Sequence, residues 1–390
     1  MKIVLTAGGS GGHITPILAI ATEIKKINPK SELIYIGQKG DIFTSVTNIE
    51  ENVDKIYKVR AGKFRRYPSD GLKQFLDVST FLKNFRDFFF VIIGIFQSYF
   101  ILRKIKPDIV FSRGGYVSVP VCLGAKLNKI PYITHDSDSI ASLANRIIAP
   151  WALRHFVSMP VETYKYPKDK TINTGIPLNS SFIKITPQIK KEYRKRLNIL
   201  EHKKVLMLIG GGQGARDLNN LFIKSSRKLF EAIPDLYVIH IVGKLNYESA
   251  KKEYSKVLSH NDLKNVNIID YTNEVYLYSG SSDLIITRAG ATNLAEFAIQ
   301  AKPSIVIPSS YLASGHQIEN AYLLARSGAV ELIIDKDLNE NNDLLYQKIL
   351  ELISSKDKLQ ELSDNFYKFA KPGSAHNIAN LIIELASNRN

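Results

Sequence analysis

Twice in this 390-residue chain an apolar run ends in a glycine-rich turn that opens an amphipathic helix: KIVLTAGGSGGHITPILAIATEIKKI at 2–27 and KVLMLIGGGQGARDLNNLF at 204–222. A strand that turns straight into a helix has no hairpin partner, so each start predicts a crossover to a parallel neighbour. Strand-like runs then keep alternating with helical ones. The first half has ELIYIG, KIYKV, DIVFS, YITH and HFVS; the second has YVIHIVG, VNIID, LIITRAG, SIVIPS and AVELII. The alternation predicts an α/β chain with two Rossmann-like, doubly wound parallel-sheet domains facing each other across a cleft. Length agrees, because single cores stop growing at roughly 250–300 residues. Asn, Ser, Thr and Pro cluster near Pro177 to Pro187, which marks the linker. The expected domains are residues 1–178 and 187–371, with 372–390 a C-terminal helix that packs back on the first domain.

In such sheets ligands sit beyond the carboxyl ends of the strands, where these turns fall. Gly8, Gly9, Gly11 and Gly12 let the backbone approach a ligand, and a helix starting near Thr15 and Pro16 would aim its free N–H groups at negative charge. A tight strand-to-helix turn wants glycine in any case, which leaves His13 as the unexplained residue. Gly210 to Gly214 repeat the pattern, and a third turn, TRAGATNLAE at 287–296, follows the apolar LII. Glu296 falls inside the helix that this turn opens. A carboxylate there either accepts two ribose hydroxyls or complements the helix dipole. Together the turns and the carboxylate predict a nucleotide site.

The formal net charge of +15 predicts an acidic partner: nucleic acid, anionic lipid or a phosphorylated small molecule. Between Lys55 and Lys106 twelve Lys or Arg face three Asp, including the run Lys63-Phe64-Arg65-Arg66-Tyr67. The same segment holds FFFVIIGIFQSYFIL, 88–102, interrupted by Gln97 and Ser98. Such a run is short of the about 20 residues that span a bilayer, so a buried or interfacial helix is expected. Basic flanks (Arg86, Arg103, Lys104, Lys106) suit an anionic membrane surface; an internal core helix with solvated ends is the alternative. No nucleic-acid motif accompanies the charge, so no nucleic-acid partner is expected. The single cysteine, Cys122, excludes an intramolecular disulfide, and the opening strand without a signal-peptide layout predicts a cytoplasmic protein.

Seven motifs stand in a telling order: GGSGGHITP, SRGGYVSVP (112–120), HDSDSIASLANRIIAPWA (135–152), TGIP (174–177), GGGQGAR (210–216), TRAGATNLAE and HQIENA (316–321). In their order and spacing the chain resembles, over nearly its whole length, the MurG family of UDP-GlcNAc transferases, which convert lipid I to lipid II in peptidoglycan synthesis. The resemblance implies a GT-B glycosyltransferase, peripheral on the cytoplasmic face of the cell membrane and without a cofactor or metal. The N-terminal domain would take the lipid-linked acceptor and the C-terminal domain UDP-GlcNAc. Glu296 then resembles the family's ribose-binding glutamate and Gln317 the glutamine that holds sugar hydroxyls, with Asn320 on the same helix face. Arg288, Gly290, Ala291 and Asn293 would form the diphosphate loop, Thr272 would meet the uracil through its backbone, and Gly212, Gln213 and Gly214 would lie near sugar and diphosphate. Acceptor contacts would come from Gly11, Gly12, His13, Gly114, Gly115, Tyr116, Asp138 and Asn179. Three positions depart from the family pattern: Asp138 replaces an asparagine, Gly212 a serine, and Asn179 a common arginine.

In the implied reaction the 4-hydroxyl of the acceptor sugar attacks the anomeric carbon from the face opposite UDP, giving inversion. Imidazole suits the base near neutral pH, which makes His13 the first candidate and Asp138 the second; hydrogen bonding to acceptor or diphosphate is the other role for His13. Asp136-Ser137-Asp138 also spells D-x-D, a metal motif in another glycosyltransferase class, although both aspartates could instead cap a helix beginning near Ile140. His240, inside YVIHIVG, reads as a core histidine. Two rival functions remain: a UDP-GlcNAc 2-epimerase, which should lack the basic apolar segment at 63–106, and a nucleotide-sugar-binding protein with impaired catalysis.

Overall fold

The computed structural model describes residues 1–8, 11–40, 52–65, 78–211, 214–309, 316–341 and 343–388. The chain forms two compact units, Met1–Ser180 with Gly373–Asn390, and Ser181–Pro372. The first contains seven parallel strands in the order β3-β2-β1-β4-β5-β6-β7: β1 (Lys2–Thr6), β2 (Glu32–Gln38), β3 (Lys55–Val59), β4 (Ile109–Ser112), β5 (Tyr132–Asp136), β6 (Arg154–Val157) and β7 (Thr171–Asn173). The second contains six in the order β10-β9-β8-β11-β12-β13: β8 (Lys204–Ile209), β9 (Leu236–Ile241), β10 (Val266–Ile269), β11 (Leu284–Thr287), β12 (Ser304–Val306) and β13 (Glu331–Leu332). All neighbours pair in parallel, with Ile3 opposite Leu33 on one side and Ile109 on the other.

Continuous apolar strands are what parallel sheets covered on both faces require. On one face of the first sheet the helix Gly11–Ile27 packs Ile14, Ile17, Ile20 and Ile24 with Ile378 and Ile382 of the C-terminal helix Ser374–Ser387. On the other face Leu102 and Ile105 of the helix Val78–Ile105 join Val121 and Ala125 of the helix Ser118–Leu127. Strand order reverses between β1 and β4 in the first sheet and between β8 and β11 in the second. Those two switch points are where a doubly wound sheet opens a ligand crevice at its carboxyl edge. The four turns Gly8 onward, Gly114-Gly115, Gly210-Gly211 and Gly290 follow β1, β4, β8 and β11 and flank them.

Local details differ from expectation in two places. The first helix starts at Gly11 rather than near Thr15, so His13 belongs to its first turn and Pro16 lies inside it. Proline carries no N–H for the Gly12 carbonyl, and glycine and histidine carry no apolar periodicity, so neither marked the true start. The helix Val78–Ile105 has 28 residues, well beyond the fifteen-residue apolar run. By length and composition its segment Thr80–Ile105 could cross a membrane.

Packing ties that helix along the unit. A Cβ at Gly94 would stand 2.0 Å from the Arg60 carbonyl oxygen, and one at Gly124 would stand 2.8 Å from Ser98 Cβ. Gln97 Oε1 accepts the Arg60 N–H at 2.8 Å. Asp87, 3% exposed, accepts from Arg65 and Arg86 at 2.8 Å each. The polar interruptions of the apolar run are therefore tertiary contacts of the inner face. Outward, the helix presents Phe81, Phe85, Phe88, Phe89, Ile93, Phe96 and Phe100, with Phe81 61% and Phe100 64% exposed. At about 100° per residue these side chains cover one arc, opposite Asp87, Gly94 and Ser98.

Candidate active site: glycine turns at two switch points

In the second unit the helix Ala291–Ile299 starts directly after β11, with Gly290 as its N-cap residue. No side chain caps it, so its first N–H groups keep their capacity for an anion. A Cβ built on Gly290, or on Gly211 after β8, meets no described atom within 4 Å. Gly214 is needed for a different reason: its φ is +77° and a Cβ would stand 2.4 Å from the Val242 carbonyl oxygen. Gly212 and Gln213 lie outside the described residues.

Glu296 sits on the second turn of the same helix, where burial pushes its carboxyl up to about 8. The Arg288 guanidinium is buried and donates to the carbonyls of Ile307 at 3.2 Å and Pro308 at 3.3 Å, tying the β11 turn to the end of β12. Gln317 Oε1 accepts the Ser309 N–H at 3.0 Å, and Asn320, one turn along the helix His316–Arg326, is fully buried. Thr272 Oγ1 accepts the Glu274 N–H at 3.0 Å in the turn after β10. Asn293 and Ala291 occupy the first turn of the Glu296 helix. These residues all follow carboxyl ends of the second sheet. His240 is fully buried between Tyr254 OH at 2.8 Å and Asn219 Oδ1 at 3.1 Å, and burial pulls it down to about 3.

In the first unit the two glycine turns touch. A Cβ on Gly115, whose φ is +84°, would stand 2.2 Å from the Gly8 carbonyl oxygen, and one on Gly8 would stand 2.2 Å from Val117 Cγ2. Gly114 donates its N–H to Ser112 Oγ at 3.2 Å, and its carbonyl accepts from Ser118 Oγ at 2.8 Å. Tyr116 donates its hydroxyl to Gln38 Oε1. Backbone of Gly11, Gly12 and His13 belongs to the first helix, while their side chains lie outside the described residues, as do Gly9, Arg66 and Tyr67. Asn179 is exposed beyond β7.

The two aspartates after β5 have separate tasks. The helix after them is Leu143–Ile148, and its cap is Ser142, whose Oγ accepts the Asn145 N–H at 3.1 Å. Asp136 holds that cap from below, accepting the Ser142 N–H at 3.0 Å and the Tyr166 hydroxyl at 2.8 Å. Burial raises its carboxyl, and these hydrogen bonds oppose the rise. Asp138 is partly exposed, and its carbonyl accepts the Tyr164 hydroxyl at 2.7 Å. Among the described residues no group of three or more His, Cys, Asp or Glu could hold a metal ion.

Sequence reasoning passed over Arg113, which stands between β4 and Gly114 and is 2% exposed. Burial pulls its guanidinium down to about 10, while Asp138 and Asp136 pull it back up. Its signal was a lone cation between an apolar strand and a glycine pair.

Residues 3–157 match the glycosyltransferase family 28 N-terminal domain and residues 205–378 the glycosyltransferase family 28 C-terminal domain. The crystal structure of Acinetobacter baumannii MurG is similar in fold, with a TM-score of 0.72 at 20% identity over 98% of this chain and 99% of that one. A UDP-GlcNAc 2-epimerase from Neisseria meningitidis shares the fold at TM-score 0.66 and 16% identity, over 98% of this chain and all of that one. Fold and domain matches together define a two-domain family 28 glycosyltransferase.

Sequence relatives narrow the class. The UDP-N-acetylglucosamine–N-acetylmuramyl-(pentapeptide) pyrophosphoryl-undecaprenol N-acetylglucosamine transferase of Clostridium perfringens is 36% identical over 98% of this chain and 97% of its own length. The protein of the same name from Acetivibrio thermocellus is 30% identical over 100% of this chain and 99% of its own length. The chain belongs to this transferase family.

Proposed function

We propose that the chain moves N-acetylglucosamine from UDP-GlcNAc to the 4-hydroxyl of a lipid-linked N-acetylmuramyl-peptide, with inversion, the lipid I to lipid II step of peptidoglycan synthesis. The observation that carries this is the pair of glycine turns at each sheet's switch point, in a chain 36% identical over nearly its whole length to a transferase relative. The second unit binds the donor: the Ala291–Ile299 helix start and the Gly211–Gly214 turn receive the diphosphate, and Glu296 accepts the ribose hydroxyls. Thr272 lies by the uracil, with Gln317 and Asn320 by the sugar. That helix start stabilises the charge that develops on departing UDP without a metal. Acceptor sugar and diphosphate meet the first unit at Gly11, Gly12, the Gly114–Tyr116 turn and Asn179. Two groups there can take the hydroxyl proton, His13 and Asp138.

A lipid-linked acceptor requires approach to a membrane, and the helix Val78–Ile105 suits one. Its aromatic arc would enter the interface of an anionic membrane while Lys63, Lys83 and Lys104 meet headgroups. Its inner face stays bound to the unit, so the protein is peripheral, on the cytoplasmic face. A 2-epimerase has no use for such a face. UDP release measured with and without lipid-linked acceptor tests the proposal: release that requires acceptor supports it, and acceptor-independent turnover overturns it.

A further inference from the structure

The turn after β10 that carries Thr272 leads into a seven-residue helix, Val275–Ser281, too short to be stable by itself. The carbonyls at its end have no partner within it and must find one elsewhere. Two buried side chains from the chain just past the Glu296 helix reach it: Gln300, fully buried, and Lys302, 4% exposed. Gln300 Nε2 donates to the Tyr276 carbonyl at 2.7 Å, and its Oε1 accepts the Ser279 hydroxyl. Lys302 Nζ donates to the carbonyls of Gly280 at 2.7 Å and Ser282 at 2.8 Å. A buried lysine is costly to place, and these two bonds go to main-chain carbonyls rather than to a carboxylate. The same two residues are bound by their main chain to the Glu296 helix: the Gln300 N–H donates to the Glu296 carbonyl at 3.2 Å and the Lys302 N–H to the Phe297 carbonyl at 3.0 Å. At its start, the short helix continues the Thr272 turn, where the Leu277 N–H donates to the Glu274 carbonyl at 2.9 Å and the Glu274 N–H to Thr272 Oγ1 at 3.0 Å. Hydrogen bonds through Gln300, Lys302 and the short helix therefore link Glu296 to Thr272.

We propose that Gln300 and Lys302 are positioning residues for the donor nucleotide: they hold the short helix, and with it the Thr272 turn that meets the uracil, at a fixed offset from Glu296, which takes the ribose. The inference rests on the donor site proposed above. Both side chains are buried and act through the turn. Uracil and cytosine differ along one ring edge, where a hydrogen-bond donor and acceptor are exchanged. Main-chain groups of a turn tell them apart only when the turn stands in register with that edge. Glu296 meets the ribose from its own helix, on the other side of the clamp. Loosening the clamp should therefore cost selectivity for the base and spare selectivity for the ribose. A merely structural role would lower stability and leave both selectivities as they are.

The test is calorimetric binding of UDP, CDP and 2′-deoxy-UDP to the full chain, unaltered and carrying Lys302→Met or Gln300→Met, at a temperature below each variant's unfolding transition. In either variant the preference for UDP over CDP should fall about tenfold or more. The preference for UDP over 2′-deoxy-UDP, which reports the ribose contact, should stay within about twofold of the unaltered chain. An unchanged preference for UDP over CDP overturns the proposal, and so does an equal fall in both preferences, which would mean that the whole site had loosened. If Lys302→Met does not fold, Gln300→Met, which keeps the Lys302 side chain, decides it. Absence of any preference for UDP over CDP in the unaltered chain would instead overturn the reading of the donor site itself.

Discussion

Donor binding should release a proton, and Glu296 is the reason. Its carboxyl is raised from 4.5 to about 8 by burial on the Ala291–Ile299 helix. Two ribose hydroxyls donating to it require the ionised form. At about pH 7 roughly one site in ten is ionised, so binding there carries a deprotonation cost of about 1.4 kcal/mol. Affinity for UDP-GlcNAc should therefore rise about tenfold from pH 7 to about pH 9 and level off above the folded pKa. The same shift sets the stability of the free protein. The unfolded carboxyl ionises first, so this group's contribution is full below 4.5 and declines as pH climbs toward about 8. Calorimetry in two buffers of different ionisation enthalpy measures both affinity and protons released. Glu296→Gln, neutral at every pH, should bind about 1–3 kcal/mol more weakly than the unaltered protein at high pH and show no pH dependence through this range. Unchanged affinity across pH in the unaltered protein, with no proton released, would refute the reasoning.

The remaining predictions concern the first unit. Replacing Lys63, Lys83 and Lys104 by Gln should weaken binding to anionic vesicles at low salt, read by co-sedimentation; equal binding to neutral and anionic vesicles would remove the electrostatic part. Arg65 is unsuited to that test because it holds the buried Asp87, and Asp87→Ala should itself lower the unfolding midpoint by an amount equivalent to about 1–3 kcal/mol in denaturant titration. Phe85→Ser with Phe96→Ser should reduce vesicle binding at high salt as well, since aromatic burial is not screened. Gly115→Ala should cost at least about 2 kcal/mol, because its Cβ would meet the Gly8 carbonyl oxygen at 2.2 Å and its φ is positive; an unshifted denaturation curve would contradict that packing. His13→Ala should lower turnover by about a hundredfold if His13 is the base, and remain near normal if Asp138 takes the proton.

The parallel sheets were legible because their strands are buried on both faces and so appear as unbroken apolar runs, such as Ile3 to Leu5 and Val205 to Ile209. Turn chemistry located the switch points, since a strand leading into a helix at the carboxyl edge leaves its glycines in sequence. Periodicity failed where side chains carry little of it. Gly11 to His13 are helical without an apolar stripe, and Gln97 and Ser98 broke an apolar run because they face inward. Asp136 and Asp138 looked alike as a D-x-D pair, and tertiary structure separates them: Tyr166 and Ser142 donate to the buried Asp136 carboxylate, while Asp138 is partly exposed and accepts the Tyr164 hydroxyl through its carbonyl. Arg113 was invisible because a cation beside a glycine pair resembles any solvated turn, whereas the fold leaves it only 2% exposed.

The most direct measurement is the structure of the product. Purified chain incubated with UDP-GlcNAc and a lipid-linked N-acetylmuramyl-peptide should yield UDP and a lipid-linked disaccharide in equal amounts. NMR should show GlcNAc joined through its anomeric carbon to the 4-oxygen in the β configuration, inverted from the α-linked donor. UDP-N-acetylmannosamine in place of a disaccharide, or an α-linked product, would contradict it.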